Sequence, residues 1–104
     1  MSQFENVTVI KKANSYFDGN VTSRTVQFAN GEKKTLGIML PGAYTFNTDA
    51  KEIMEIMQGS FELELPNTPW QHVEAPFTFE VPAHSSFSLK INTLTDYCCS
   101  YIHE

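Results

Sequence analysis

Phe61, Leu63 and Leu65 alternate with Glu62 and Glu64, so one face of this segment is apolar and the other charged. The same period of two returns in Phe87, Leu89 and Ile91, set against Ser86, Ser88 and Lys90. It returns again in Tyr44, Phe46 and Thr48, set against Ala43, Thr45 and Asn47. Val21 to Phe28 is rich in Val and Thr and runs into Asn30-Gly31, a hairpin turn signal. Thr35 to Leu40 reads as the next strand, ended by Pro41-Gly42. Trp70 to Glu74 and Phe77 to Val81 are separated by Ala75-Pro76, and Tyr97 to His103 forms the last strand. Lys51 to Gln58 is ambiguous, because Ile53, Met54, Ile56 and Met57 also fit a helical stripe. Its shortness, its end at Gly59 and its neighbours predict a strand.

Short strands at regular spacing predict an all-β fold, a closed or nearly closed barrel without substantial helix. At 104 residues the chain is read as one domain, 1–104. Residues 1–15 are an edge strand or a dimer-crossing arm.

An apolar fraction of 41% suits a packed core. The net charge of −5 argues against a non-specific nucleic-acid binder, which needs a basic surface, but not against a small anionic ligand. No apolar run approaches a membrane span, and Met1 to Val9 does not read as a signal peptide. Cys98 and Cys99 are sequence neighbours and are read as free thiols of a cytoplasmic protein.

His72, His84 and His103 share no ligand spacing. His84, in a turn directly before Ser85 and Ser86, suits a grip on a phosphate or sugar oxygen, or a hydrogen bond to its own turn. Glu52, just before an apolar strand, is the carboxylate placed in a pocket. The other glutamates are expected on solvated faces. Most aromatics are core in so small a barrel, with one or two left at its mouth to stack on a flat ring. There is no G-x-S-x-G elbow and no Gly-rich phosphate loop.

Gly42, Glu52 and Gly59 fall where the first cupin motif keeps its two glycines and its glutamate. Thr45-Phe46-Asn47-Thr48 fills the H-x-H positions, and Phe87 stands at the ligand histidine of the second motif. The chain thus resembles a cupin that keeps Glu52 without the histidines, and the expectation is a single-domain, jelly-roll-like cupin barrel with no metal. Tyr16-Phe17-x-Gly19, Gly42-x-Tyr44-Thr45-Phe46-x-Thr48, Glu52, Leu65-Pro66, Trp70, Glu74-Ala75 and Phe79-x-Val81-Pro82-x-His84-Ser85-x-Phe87 together resemble the small bacterial pyrimidine/purine nucleoside phosphorylases. Pro76 departs from the cupin pattern, which has glycine there.

This resemblance implies a cytoplasmic, homodimeric pentosyltransferase. It would cleave purine and pyrimidine nucleosides with inorganic phosphate as co-substrate and no cofactor, giving free base and pentose 1-phosphate. It implies no nucleic-acid or membrane partner. The resemblance itself assigns no residue-level mechanism, and the expectation read from the residues makes Glu52 and His84 catalytic. Tyr44 and Phe46 stack on the base, and Thr48, Ser85 and Ser86 contact substrate. Arg24 or Lys33 supplements the anion site. The alternative is a non-catalytic, metal-free cupin that binds a sugar or nucleoside.

Overall fold

The structure, a computed structural model, describes residues 3–103. Residues 1, 2 and 104, at the ends of the 1–104 domain and the start of the 1–15 arm, lie outside the described residues. Among the described residues eleven strands follow in chain order. They are β1 (Thr8–Val9), β2 (Asn14–Tyr16), β3 (Val21–Gln27), β4 (Lys33–Met39), β5 (Gly42–Asn47), β6 (Lys51–Gln58), β7 (Ser60–Glu64), β8 (Gln71–Glu74), β9 (Phe77–Val81), β10 (Ser86–Ile91) and β11 (Thr95–Ile102). The helical content of the described residues is one 3-10 turn, Phe17–Gly19.

The strands form two antiparallel sheets. The larger runs β1-β3-β4-β11-β6-β9, with β2 also on β3, and the smaller runs β5-β10-β7-β8. The expected barrel is thus realised as a jelly-roll-like sandwich. Side chains join the two sheets, and no single ladder closes around the core among the described residues.

Lys51–Gln58 is a strand, and its pairing shows why the helical stripe was a false signal. Glu52, Met54 and Ile56 lie opposite Tyr101, Cys99 and Tyr97 of β11, on the inner face. Met54 and Ile56 are buried, while Met57 on the other face is exposed. Two-faced apolar composition mimics helical spacing when a strand also carries hydrophobic residues outside.

The inner faces interdigitate into one core. Phe61, Leu63, Leu89 and Ile91 of the smaller sheet meet Val21, Met39, Met54, Ile56, Phe79 and Val81 of the larger. Phe61 and Leu63 are fully buried, and each such side chain contributes about 1.5–3 kcal/mol of transfer free energy. The turn between β3 and β4 is set at Asn30-Gly31, where Gly31 takes φ +93° and Asn30 Oδ1 accepts from the Glu32 N–H at 2.9 Å. Cys98 and Cys99 are free and buried on opposite faces of β11.

Candidate functional site

One end of the sandwich holds a cavity of about 210 Å³ between the two inner faces. Period-two alternation builds its larger-sheet wall. Ser23 on β3, Met39 on β4, Tyr97, Cys99 and Tyr101 on β11, and Glu52 and Met54 on β6 all line it. Phe46, Asn47 and Phe87 come from the smaller sheet, and Tyr16 comes from the N-terminal segment. Phe46 and Phe87 stack with centroids 5.7 Å apart and planes 27° apart, and Tyr16 meets Phe46 edge-on at 6.2 Å. An apolar, aromatic wall faces a wall of hydroxyls, a thiol and one carboxylate, an arrangement that suits a flat ring bearing a polar substituent.

Glu52 is the carboxylate of that cavity. Burial raises its pKa above the usual carboxylate value, and the nearby Asp49 charge adds to the rise. The Cys99 thiol opposes it by donating to Glu52 Oε1 at 3.5 Å. Cys99 is in turn hydrogen-bonded to Tyr101, whose hydroxyl lies 3.2 Å from Thr35 Oγ1. A chain of polar side chains therefore runs from β4 across β11 to the carboxylate on β6. Burial pushes the Cys99 thiol and the Tyr97 and Tyr101 phenols well up, so all three stay protonated donors near neutrality. The Tyr97 hydroxyl is hydrogen-bonded to Ser23.

The residues singled out from sequence divide into three groups. Glu52 and Phe46 line the cavity, and Lys33 lines a second hollow beyond Tyr101. Tyr44 and Thr48 are committed to the scaffold. The buried Tyr44 donates to the Leu40 carbonyl at 2.7 Å. The buried Thr48 donates to the Pro82 carbonyl at 2.7 Å and accepts from the Ser85 N–H at 3.0 Å.

The remaining residues lie elsewhere. Arg24 projects from the other face of β3, where its Nε donates to the Lys11 carbonyl at 3.3 Å. His84 is exposed in the turn after β9 with φ +55°. It stands at the Glu52 end of the sandwich, since Val81 pairs with Glu52, but does not line the cavity. Ser85 Oγ donates to the Ala83 carbonyl at 3.3 Å, and Ser86 borders a shallow hollow with Glu64 to Thr68. His72 is exposed on the outer face of the smaller sheet, bridging Glu62 at 2.6 Å and Glu74 at 2.9 Å.

Ser23 and Tyr97 carry no site role in the sequence reading, Tyr16 enters it only through the family resemblance and Cys99 only as a free thiol. The alternation of the last strand already sets Tyr97, Cys99 and Tyr101 on one face. Which face is inward depends on the sheet that covers it.

No group of three His, Cys, Asp or Glu side chains gathers as a metal site among the described residues. At the positions where the cupin resemblance expects ligands, Phe46 and Phe87 pack on each other instead.

A cupin from Shewanella frigidimarina, 14% identical, superposes with a TM-score of 0.71 over 97% of this chain and 93% of its own, which shows the shared fold. A protein of unknown function from an Acinetobacter species is 42% identical with a TM-score of 0.91, covering 96% of this chain and 98% of that one. The protein of that name from Sulfurimonas denitrificans, "Pyrimidine/purine nucleoside phosphorylase", is 64% identical over 102 residues, covering 98% of this chain and 99% of the relative. A relative from Chlorobium chlorochromatii with the same name is 63% identical, with the same coverage. Residues 11–101 match the family described in those words, and the chain belongs to the pyrimidine/purine nucleoside phosphorylase family.

Proposed function

We propose that this chain phosphorolyses purine and pyrimidine nucleosides to free base and pentose 1-phosphate. The observation that carries the reading is the family match, which spans the whole larger-sheet wall of the cavity from Ser23 to Tyr101. In the reaction a phosphate oxygen forms a bond to C1′ as the C1′–N bond breaks, and its electron pair leaves with the base. The proton lost by hydrogen phosphate balances the one gained by the base.

The cavity lining supports the demands that the base and the sugar make in this reaction. Phe46 and Tyr16 offer ring faces and edges, which bind any base because every base has a π-face. Few base-edge contacts on that wall fit a broad range of bases. Glu52 accepts from ribose hydroxyls and, as carboxylate, favours positive charge developing on the sugar. The Cys99 thiol, itself hydrogen-bonded to Tyr101, donates to Glu52. Positioning phosphate against C1′ supplies much of the rate, since it turns a bimolecular step into an effectively unimolecular one. The enzyme is further proposed to work as a cytoplasmic homodimer without metal or organic cofactor.

The test is release of base from uridine and inosine by the purified protein, with and without inorganic phosphate, and in the presence of a chelator. Phosphate-dependent release that survives chelation is expected. Binding of nucleoside without turnover would instead identify a non-catalytic cupin, and loss of activity on chelation would overturn the metal-free reading.

A further inference from the structure

The cavity of about 210 Å³ is smaller than the roughly 300–1,000 Å³ of ordinary small-molecule sites. It also has to serve a reaction with two substrates. Among the described residues its lining carries one carboxylate and no Lys, Arg or His. An anion placed beside Glu52 alone would be repelled.

A second hollow of about 430 Å³ adjoins it, and the two share Tyr16 and Tyr101 in their walls. The strand register explains why. The cavity-facing rows of three adjacent strands continue outward: Ser23 to Thr25 on β3, Met39 to Thr35 and Lys33 on β4, and Cys99 to Tyr101 and His103 on and just past β11. Tyr101 pairs with Glu52 on one side. On the other side Ser100 pairs with Lys34, and continuing that antiparallel register by one residue sets Lys33 opposite Tyr101. Glu52 and Lys33 therefore flank Tyr101 in one row, two strand spacings or about 10 Å apart at the backbone.

This vestibule carries what the inner cavity lacks. Lys33 is exposed and has no ion-pair partner among the described residues. His103 adds ring nitrogens, and Thr35 and Tyr101 add hydroxyls. Asn14 Nδ2 spans Ser23 at 3.2 Å and Thr25 at 3.3 Å, tying β2 over the wall. Glu32 also borders the vestibule, but its carboxylate accepts from Asn30 Nδ2 at 2.7 Å within its own turn.

We infer that the vestibule is the inorganic-phosphate subsite, with Lys33 and His103 as its cationic and hydrogen-bonding side chains and Tyr101 as the threshold between phosphate and nucleoside. The inference rests on the phosphorylase reading and adds to it a location. The nucleoside lies with its base against Phe46 and its ribose beside Glu52 and Tyr101, and C1′ is open toward the vestibule. The compact ammonium of Lys33 binds phosphate as a point charge.

The experiment measures uridine phosphorolysis with phosphate varied, together with calorimetric titration of inorganic phosphate alone. The full-length proteins compared are wild type, Lys33→Met, Lys33→Arg, His103→Ala and His84→Ala. Lys33→Met should raise the phosphate KM at least tenfold and leave the uridine KM within twofold. His103→Ala should raise it less, and Lys33→Arg should recover most of the loss. A wild-type phosphate KM in both Lys33→Met and His103→Ala, with normal turnover, would overturn the subsite and leave the phosphorylase reading standing. A rise confined to His84→Ala would likewise overturn it and move phosphate to the turn after β9. Should the wild type show no phosphate-dependent turnover, that reading fails and the titration decides: phosphate binding lost in Lys33→Met upholds an anion site, and no binding to the wild type removes it.

Discussion

The Cys99 thiol donates to Oε1 of Glu52 across 3.5 Å, although the two residues stand 47 positions apart. Neighbouring strands bring them together, since Cys99 pairs with Met54 and Tyr101 with Glu52. The contact gives a half-buried carboxylate a weak donor, too weak to offset its desolvation, because its pKa stays raised.

That balance makes Glu52 a site where function opposes stability. A raised native pKa means that folding favours the protonated form. The stabilisation is fully present below the unfolded value of 4.5 and is lost as pH rises through the native value. Near neutrality ionised Glu52 therefore disfavours the folded state. Glu52→Gln should lower uridine phosphorolysis at least tenfold, about 1.4 kcal/mol of transition-state stabilisation. It should also melt above the wild type near pH 7.5, with the gap closing toward pH 4. Thermal melts across that range check the sign, and a wild-type rate would remove Glu52 from the mechanism.

Tyr97 can occupy the cavity wall because Gly37, its partner on β4, has no side chain. A Cβ at position 37 would lie 2.6 Å from both Cζ and Oη of Tyr97 and would also clash with the Thr22 carbonyl. Gly37→Ala should cost about 1–3 kcal/mol, as overpacking does, and turn the Tyr97 ring into the cavity. Chemical denaturation measures the first effect, and a rise in nucleoside KM out of proportion to any change in kcat reports the second.

Thr48 clasps the turn after β9 through its hydroxyl, which serves both the Pro82 carbonyl and the Ser85 N–H. Thr48→Val keeps the shape and removes both bonds. Both bonds are part-buried, so losing them costs about 1 kcal/mol, toward the low end of the range for an unpaired backbone group. The urea midpoint should fall with an unchanged m-value. A drop in phosphorolysis without a drop in the midpoint would instead assign the hydroxyl to substrate.

His72 lies between two carboxylates. The hydrogen bond to Glu62, followed by that to Glu74, raises its pKa above 6.5. The favourable contribution of its charged form is present below 6.5 and lost as pH rises through the native value. Proton NMR titration should place the His72 midpoint above that of a free imidazole, and Glu62→Gln should move it back down. An unmoved midpoint in that variant would reject the Glu62 contact in solution.

The sequence by itself determined the strands from β3 to β11, and with them which residues share a face, while β1 and β2 were legible only as an edge strand or arm. Alternation in β7 and β10 separates core from solvent because a pleated backbone points successive side chains to opposite sides. The resemblance carried by Tyr44-Thr45-Phe46, Glu52 and Val81-Pro82-x-His84-Ser85 added the family and a carboxylate for the pocket. Alternation cannot say which face another sheet will cover. Tyr97, Cys99 and Tyr101 therefore became a cavity wall only through the stacking of the sheets. The same packing committed Tyr44 and Thr48 to backbone carbonyls and turned Arg24 outward. It also aligned Lys33 with Tyr101 and Glu52, because neighbours in a sheet row are set by register between strands distant in the chain.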